Sequence, residues 1–215
     1  MITNWDSVAW AFNDFSIDSV IYIQEATLDD WEKVITFLNE NDSLVFEVYN
    51  YEDFDPYKTT NQIDREFIFQ SFSNHSETDD NANAHFSLNR LEINCFFEFK
   101  DQIELCFQAG SVKSIDDYKT VEALMIKLST LLNRMVTLAY EGGVVFPLIK
   151  VDITRGIIEV VDEKKYENRF YSLKYRIESF YLIFLGRFFP EKFRTMLDKA
   201  HEDDHLPKKI KDNEW

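Results

Sequence analysis

The chain has 215 residues, 45% of them hydrophobic and 29% charged, with a formal net charge of −16 at pH 7. That length suits one domain, and that apolar content excludes disorder over most of the chain. Five Gly and four Pro exclude a collagen-like or linker-like sequence. The sign of the charge argues against DNA or RNA as ligands, because binding them rests on Lys and Arg neutralising phosphates.

The acidity is unevenly placed. Residues 1–118 hold 24 Asp/Glu against 6 Lys/Arg, a net −18, whereas residues 119–215 hold 15 against 17, a net +2. Met1 to Asp6 offers no basic flank and no apolar core of a signal peptide. The longest strongly apolar uncharged run, Ser179 to Gly186, has eight residues, well short of the roughly 20 that span a bilayer. The expectation is a cytoplasmic protein without a membrane partner.

In chain order, residues 4–16 read as a short helix capped by Asn4, with Trp5, Val8, Ala9 and Phe12 on one face. Ser19 to Gln24 is a β-branched strand. Thr27 caps the next helix, with Asp30 three residues on as a variant capping box. Leu28, Trp31, Val34, Ile35 and Leu38 form its stripe through Asn39. Ser43 to Tyr49 is a second strand, and strand–helix–strand suggests parallel neighbours. Residues 50–64 and 72–84 are polar and loop-like, with a strand over Glu66 to Gln70 between them.

Residues 84–109 carry the clearest β pattern. Leu91, Ile93, Cys95, Phe97 and Phe99 alternate, and so do Ile103, Leu105, Phe107 and Ala109. A three-residue loop, Lys100 to Gln102, pairs Phe99 with Ile103, Phe97 with Leu105 and Cys95 with Phe107, keeping every apolar residue on one face. Cys106 then lies opposite Cys95, so two free thiols are expected rather than a disulfide. Ser114 caps a long helix, Ile115 to Tyr140, ended by Glu141-Gly142-Gly143. Val144 to Thr154 and Gly156 to Val161 suggest a strand pair, residues 166–188 an aromatic-rich helix, and Pro190 to His201 another. The expected fold is α+β: a mixed, largely antiparallel sheet packed by a long central helix, with C-terminal helices. The expected organisation is one domain over residues 1–215, with 166–205 a helical extension packed on it.

Few residues suggest chemistry. His201-Glu202-Asp203-Asp204-His205 spells H-E-x-x-H, which on a helix places two histidines on one face for zinc. Two intervening Asp, Pro207 just beyond, and only ten residues after His205 make it a chance match, so no metal is assigned. Asp53-Phe54-Asp55 and Asp79-Asp80 lack calcium-loop spacing. Cys95 sits on an apolar strand face as core, which leaves Cys106 the more reactive thiol. His75 and His85 flank a polar loop without a partner motif. No G-x-S-x-G, G-x-G-x-x-G or Walker A pattern is present. No cofactor or catalytic residue is assigned. The aromatic surplus at Tyr171, Tyr175, Phe180, Phe184 and Phe188 exceeds one core stripe and suggests a subunit interface.

Ile21-Tyr22-Ile23, Thr27-Leu28, Trp31 and Phe37-Leu38, with Phe96-Phe97 and Ile103-Glu104, give the first half a strand and helix pattern. In that pattern and its acidity the chain resembles small acidic bacterial immunity proteins of toxin–immunity systems. The resemblance implies a non-enzymatic protein that neutralises a cognate basic toxin, such as a nuclease, through an acidic surface. Glu52, Asp53, Asp55, Glu77, Asp79 and Asp80, on polar loops, are the expected contacts. Alternatives are a structural or regulatory homo-oligomer, such as a homodimer built through the aromatic C-terminal helix, and an enzyme of unrecognised type.

Overall fold

The computed structural model describes residues 5–13, 17–50, 56–73, 80–142 and 146–167. The chain divides into two units, Met1–Tyr166 and Glu167–Trp215. The expected C-terminal helices, the aromatic set Tyr171, Tyr175, Phe180, Phe184 and Phe188, and the His201, Glu202, His205 motif lie outside the described residues.

The first unit is α+β. Its strands are β1 (Asp18–Gln24), β2 (Val45–Asn50), β3 (Lys58–Thr60), β4 (Asp80–Leu88), β5 (Leu91–Phe96), β6 (Gln102–Gln108), β7 (Val136–Tyr140), β8 (Ile149–Asp152) and β9 (Ile157–Val160). They form one sheet in the order β3-β2-β4-β5-β6-β1-β7-β8-β9, with every neighbouring pair antiparallel. Helices α1 (Leu28–Asn39), α2 (Arg65–Ser73) and α3 (Ile115–Leu132) share one apolar core with the strands. Among the described residues no helix is long and apolar enough to cross a membrane.

Side-chain alternation divides the sheet into two faces. Ile21 and Ile23 of β1, Phe46 and Val48 of β2, Cys95 of β5, Leu105 of β6 and Leu138 of β7 pack against the helices. In α1, Trp31, Val34, Ile35 and Leu38 are buried at helical spacing. Tyr118, Val121, Leu124, Met125, Leu128 and Leu132 do the same in α3. At the sheet's centre β1 buries five consecutive residues, so both of its faces are covered. Further out β5 alternates buried with half-buried or exposed residues.

Local chemistry sets the helix starts. The Thr27 hydroxyl accepts from the Asp30 N–H, and the Asp30 carboxylate accepts from the Thr27 N–H at 2.9 Å, the reciprocal capping box. Ser114 caps α3 by accepting from the Asp117 N–H.

Five expectations need correction. Residues 5–12 form two short 3₁₀ turns, Trp5–Ser7 and Ala9–Phe12, in place of a helix. Glu66 to Gln70 is helical, not a strand. Asp64 accepts from the Phe67 N–H at 3.1 Å as an N-cap, so α2 begins at Arg65 with Ile68 buried beneath it. The long helix stops at Leu132. Asn133 takes up the left-handed conformation (φ 57, ψ 41) and donates its N–H to the Ser129 carbonyl, after which Val136 to Tyr140 pair as β7. Strands β1 and β2 run in the same direction but are separated by β4, β5 and β6. Finally, Cys95 faces Leu105 and Phe96 faces Glu104, a shift of two residues from the expected pairing. An even shift leaves the faces unchanged. The connection is five residues long because the Trp31 indole N–H donates to the Lys100 carbonyl at 3.0 Å and the Ala26 N–H to the Asp101 carbonyl at 2.8 Å.

Candidate functional site

The second face of the sheet carries the polar half of each strand's alternation. Phe46-Glu47-Val48 and Ile103-Glu104-Leu105 each point a carboxylate away from the helices. Val20, Tyr22, Cys106 and Ala139 form a small buried cluster at the centre of this face, with Phe96 packed against it. Acidic groups surround that cluster. Cys106 Sγ donates to an Asp18 carboxylate oxygen at 3.6 Å, and both Glu104 and Glu141 lie close enough to act on it electrostatically.

The charges repel one another. Glu104 has its pKa raised, by burial first and then by Glu98 and Glu141, against a hydrogen bond from Gln102 that lowers it. Burial, then Asp18, pushes the Cys106 thiol up to about 12. Burial and Glu104 also raise Tyr22, whose hydroxyl accepts from the Gly142 N–H at 3.2 Å. Among the described residues no Lys or Arg stands within salt-bridge distance of Asp18, Glu104 or Glu141. Such a surface holds a negative potential open to a basic partner.

On β2, three strands from β6, Glu47 accepts from the Tyr49 hydroxyl and lies 3.8 Å from His85 Nδ1. That hydrogen bond, with burial and the Glu47 charge, pushes Tyr49 up to about 12.

A raised carboxylate pKa has a definite sign in stability. Ionised Glu104 is disfavoured in the fold, so its contribution opposes folding at neutral pH and is relieved as pH falls through its folded pKa. Glu104→Gln is therefore expected to leave the thermal midpoint unchanged or raise it by about 2–4 °C at pH 7. A calorimetric midpoint that drops at pH 7 would show Glu104 to be a stabilising group instead.

The residues expected to bind a partner fall elsewhere. Glu52, Asp53, Asp55, Glu77 and Asp79 lie outside the described residues. Asp80 is the first residue of β4, paired with Asn50 of β2, and not part of a loop. Asp18, Glu104 and Glu141 lie off the polar loops that mark the expected contacts: Glu104 is the polar member of β6's alternation, Asp18 opens β1 and Glu141 follows β7. Cys95 and Cys106 are both free and buried on opposite faces. Burial raises Cys95 above the ordinary thiol range. Among the described residues no group of three or more His, Cys, Asp or Glu is arranged to hold a metal ion. No family model, no curated protein and no solved structure matches this chain.

Proposed function

We propose that this is a non-enzymatic protein-binding protein, an immunity protein that neutralises a basic toxin such as a nuclease through an acidic surface. The supporting observation is the placement of Asp18, Glu104 and Glu141 around Cys106 on one sheet face, without a cationic neighbour among the described residues. A nuclease carries a positive phosphate-binding surface, the electrostatic complement of this face. Complementary charge would mainly accelerate encounter and reject wrong partners.

Two experiments test the reading. Affinity capture of the full chain at low salt, from cells carrying neighbouring toxin genes, should recover a stoichiometric basic protein. With that partner, Asp18→Asn, Glu104→Gln and Glu141→Gln together should slow association by about tenfold or more at low salt and flatten its salt dependence. An unchanged association rate overturns the placement on this face. Recovery of the chain alone as a stable dimer favours the oligomer reading.

A further inference from the structure

A cleft of about 330 Å³ opens at the other end of β1. That volume lies at the small-molecule end of ligand pockets. Its walls include Gln24 and Glu25 at the end of β1, Asn133 and Arg134 after α3, and Thr154 and Arg155 in the β8–β9 turn.

The buried Ser129 side chain ties two of these walls together. Its hydroxyl donates to the Arg134 carbonyl at 2.7 Å and accepts from the Ile153 N–H at 3.1 Å. The two arginine-bearing turns are thus held as one unit. Arg134 is hydrogen-bonded through Nε to the buried Asp30 carboxylate at 2.9 Å, and the exposed Arg155 guanidinium lies with Nε 3.5 Å from the buried Asp152 carboxylate. Asp152 is itself fixed by the Thr154 hydroxyl at 2.7 Å and the Arg155 N–H at 3.1 Å. Among the described residues, no protein acceptor takes the Nη donors of either arginine. A guanidinium held by Nε keeps its outer donors for a planar acceptor.

Glu25 supplies the opposite charge. It is exposed, has no ion pair among the described residues, and sits at φ 55, a left-handed conformation uncommon for glutamate. The chain is held on both sides of it, by the pairing of Gln24 with Gln102 and by the Ala26 N–H bond to the Asp101 carbonyl. Backbone strain of this kind concentrates at binding sites. With Asp30, Asp152 and Glu25 set against two arginines, the surroundings are net negative, so they disfavour a dianion such as phosphate or a lone carboxylate and favour a ligand that carries a cation beside its carboxylate.

We propose that this cleft binds a small zwitterion, its carboxylate on the Arg134 and Arg155 guanidiniums and its ammonium on Glu25, the chemistry of a free amino acid. The test is titration of glycine, L-alanine, L-leucine and L-glutamine into the isotope-labelled full chain, following the arginine Nε–H and Thr137 amide resonances. At least one should saturate with a dissociation constant below about 10 mM, while acetate and methylamine bind about tenfold more weakly. Arg155→Gln should weaken the zwitterion by about tenfold. Glu25→Gln should reduce it to the level of acetate. Both side chains are exposed, and an unchanged Trp31 indole resonance reports the intact fold. Absence of saturation by all four amino acids overturns the proposal. So does full affinity in both variants, or binding of inorganic phosphate as tight as that of the zwitterion.

Discussion

Replacing Asp30 with alanine is expected to lower stability by about 2–4 kcal/mol, the loss of a helix cap together with a hydrogen bond between charged groups. Asp30 is only 4% exposed. One of its oxygens accepts from the Thr27 N–H at 2.9 Å, the Thr27 hydroxyl at 2.7 Å and Arg134 Nε at 2.9 Å. Losing the cap alone, as in Thr27→Ala, costs about 1 kcal/mol. The larger loss in Asp30→Ala therefore reports the Arg134 guanidinium left partly buried without its counter-ion. Urea unfolding of the two single variants and of Asp30→Ala/Arg134→Ala separates the effects. The double variant should be less destabilised than the two single losses added together, because the arginine is removed with its partner. Simple additivity would show that the two groups act independently.

The same carboxylate has a pH signature. Burial raises its pKa, but the Thr27 side-chain and backbone hydrogen bonds and the Arg134 charge outweigh burial, so it is held below the ordinary value of 3.8. A depressed carboxylate stabilises the fold above its unfolded pKa and loses that contribution as pH falls through the lower folded value. Asp64, Asp117 and Asp152 are shifted in the same direction. Thermal midpoints should thus fall steeply below about pH 4, and less steeply in Asp30→Asn. An equal acid slope in the variant would remove Asp30 from this account.

Trp31→Ala should be comparably severe, about 3–5 kcal/mol, through the cavity left by a fully buried indole. Trp31 packs on Phe72 and Phe97 at ring-centroid distances of 5.3 and 5.4 Å, and its N–H holds the Lys100 carbonyl. It therefore joins α1, α2 and the β5–β6 connection. Trp31→Phe keeps much of the apolar contact but leaves that carbonyl without its donor, and should cost about 1–3 kcal/mol. Hydrogen exchange would locate the difference. Residues 97–101 should lose protection in Trp31→Phe while β1 and β6 keep theirs. Uniform loss across the sheet would show that the indole N–H has no local role.

Sequence periodicity carried the faces of the sheet further than it carried its pairing. The apolar residues of β5 and β6 lie where alternation placed them, with Cys95 and Cys106 on opposite sides. Their register was two residues away, because a turn's length depends on what holds it. Here the holding groups, Trp31 and Ala26, are distant in the chain. The α2 segment resembles a strand in sequence because Glu-Phe-Ile-Phe-Gln is a short aromatic and β-branched run, a window too short to distinguish periods of 2 and 3.6. Asp64 as an N-cap was the better signal. The α3 boundary was likewise marked by Asn133, a residue that tolerates the left-handed conformation, within an apolar run that continued past it.

The sequence by itself determined the α+β class, the capped starts of α1 and α3, the core stripes and the acidic balance. Each depends on neighbours within a few residues. Tertiary structure alone decided the strand order, because alternation is the same for every permutation of strands. It also decided the sites. Asp18, Glu104 and Glu141 are 86 and 37 positions apart in sequence and meet only because β1 pairs with both β6 and β7. Arg134 and Arg155 share a cleft only because the α3 end and the β8–β9 turn meet at Ser129. Long-range pairing of this kind leaves no local mark on composition or spacing.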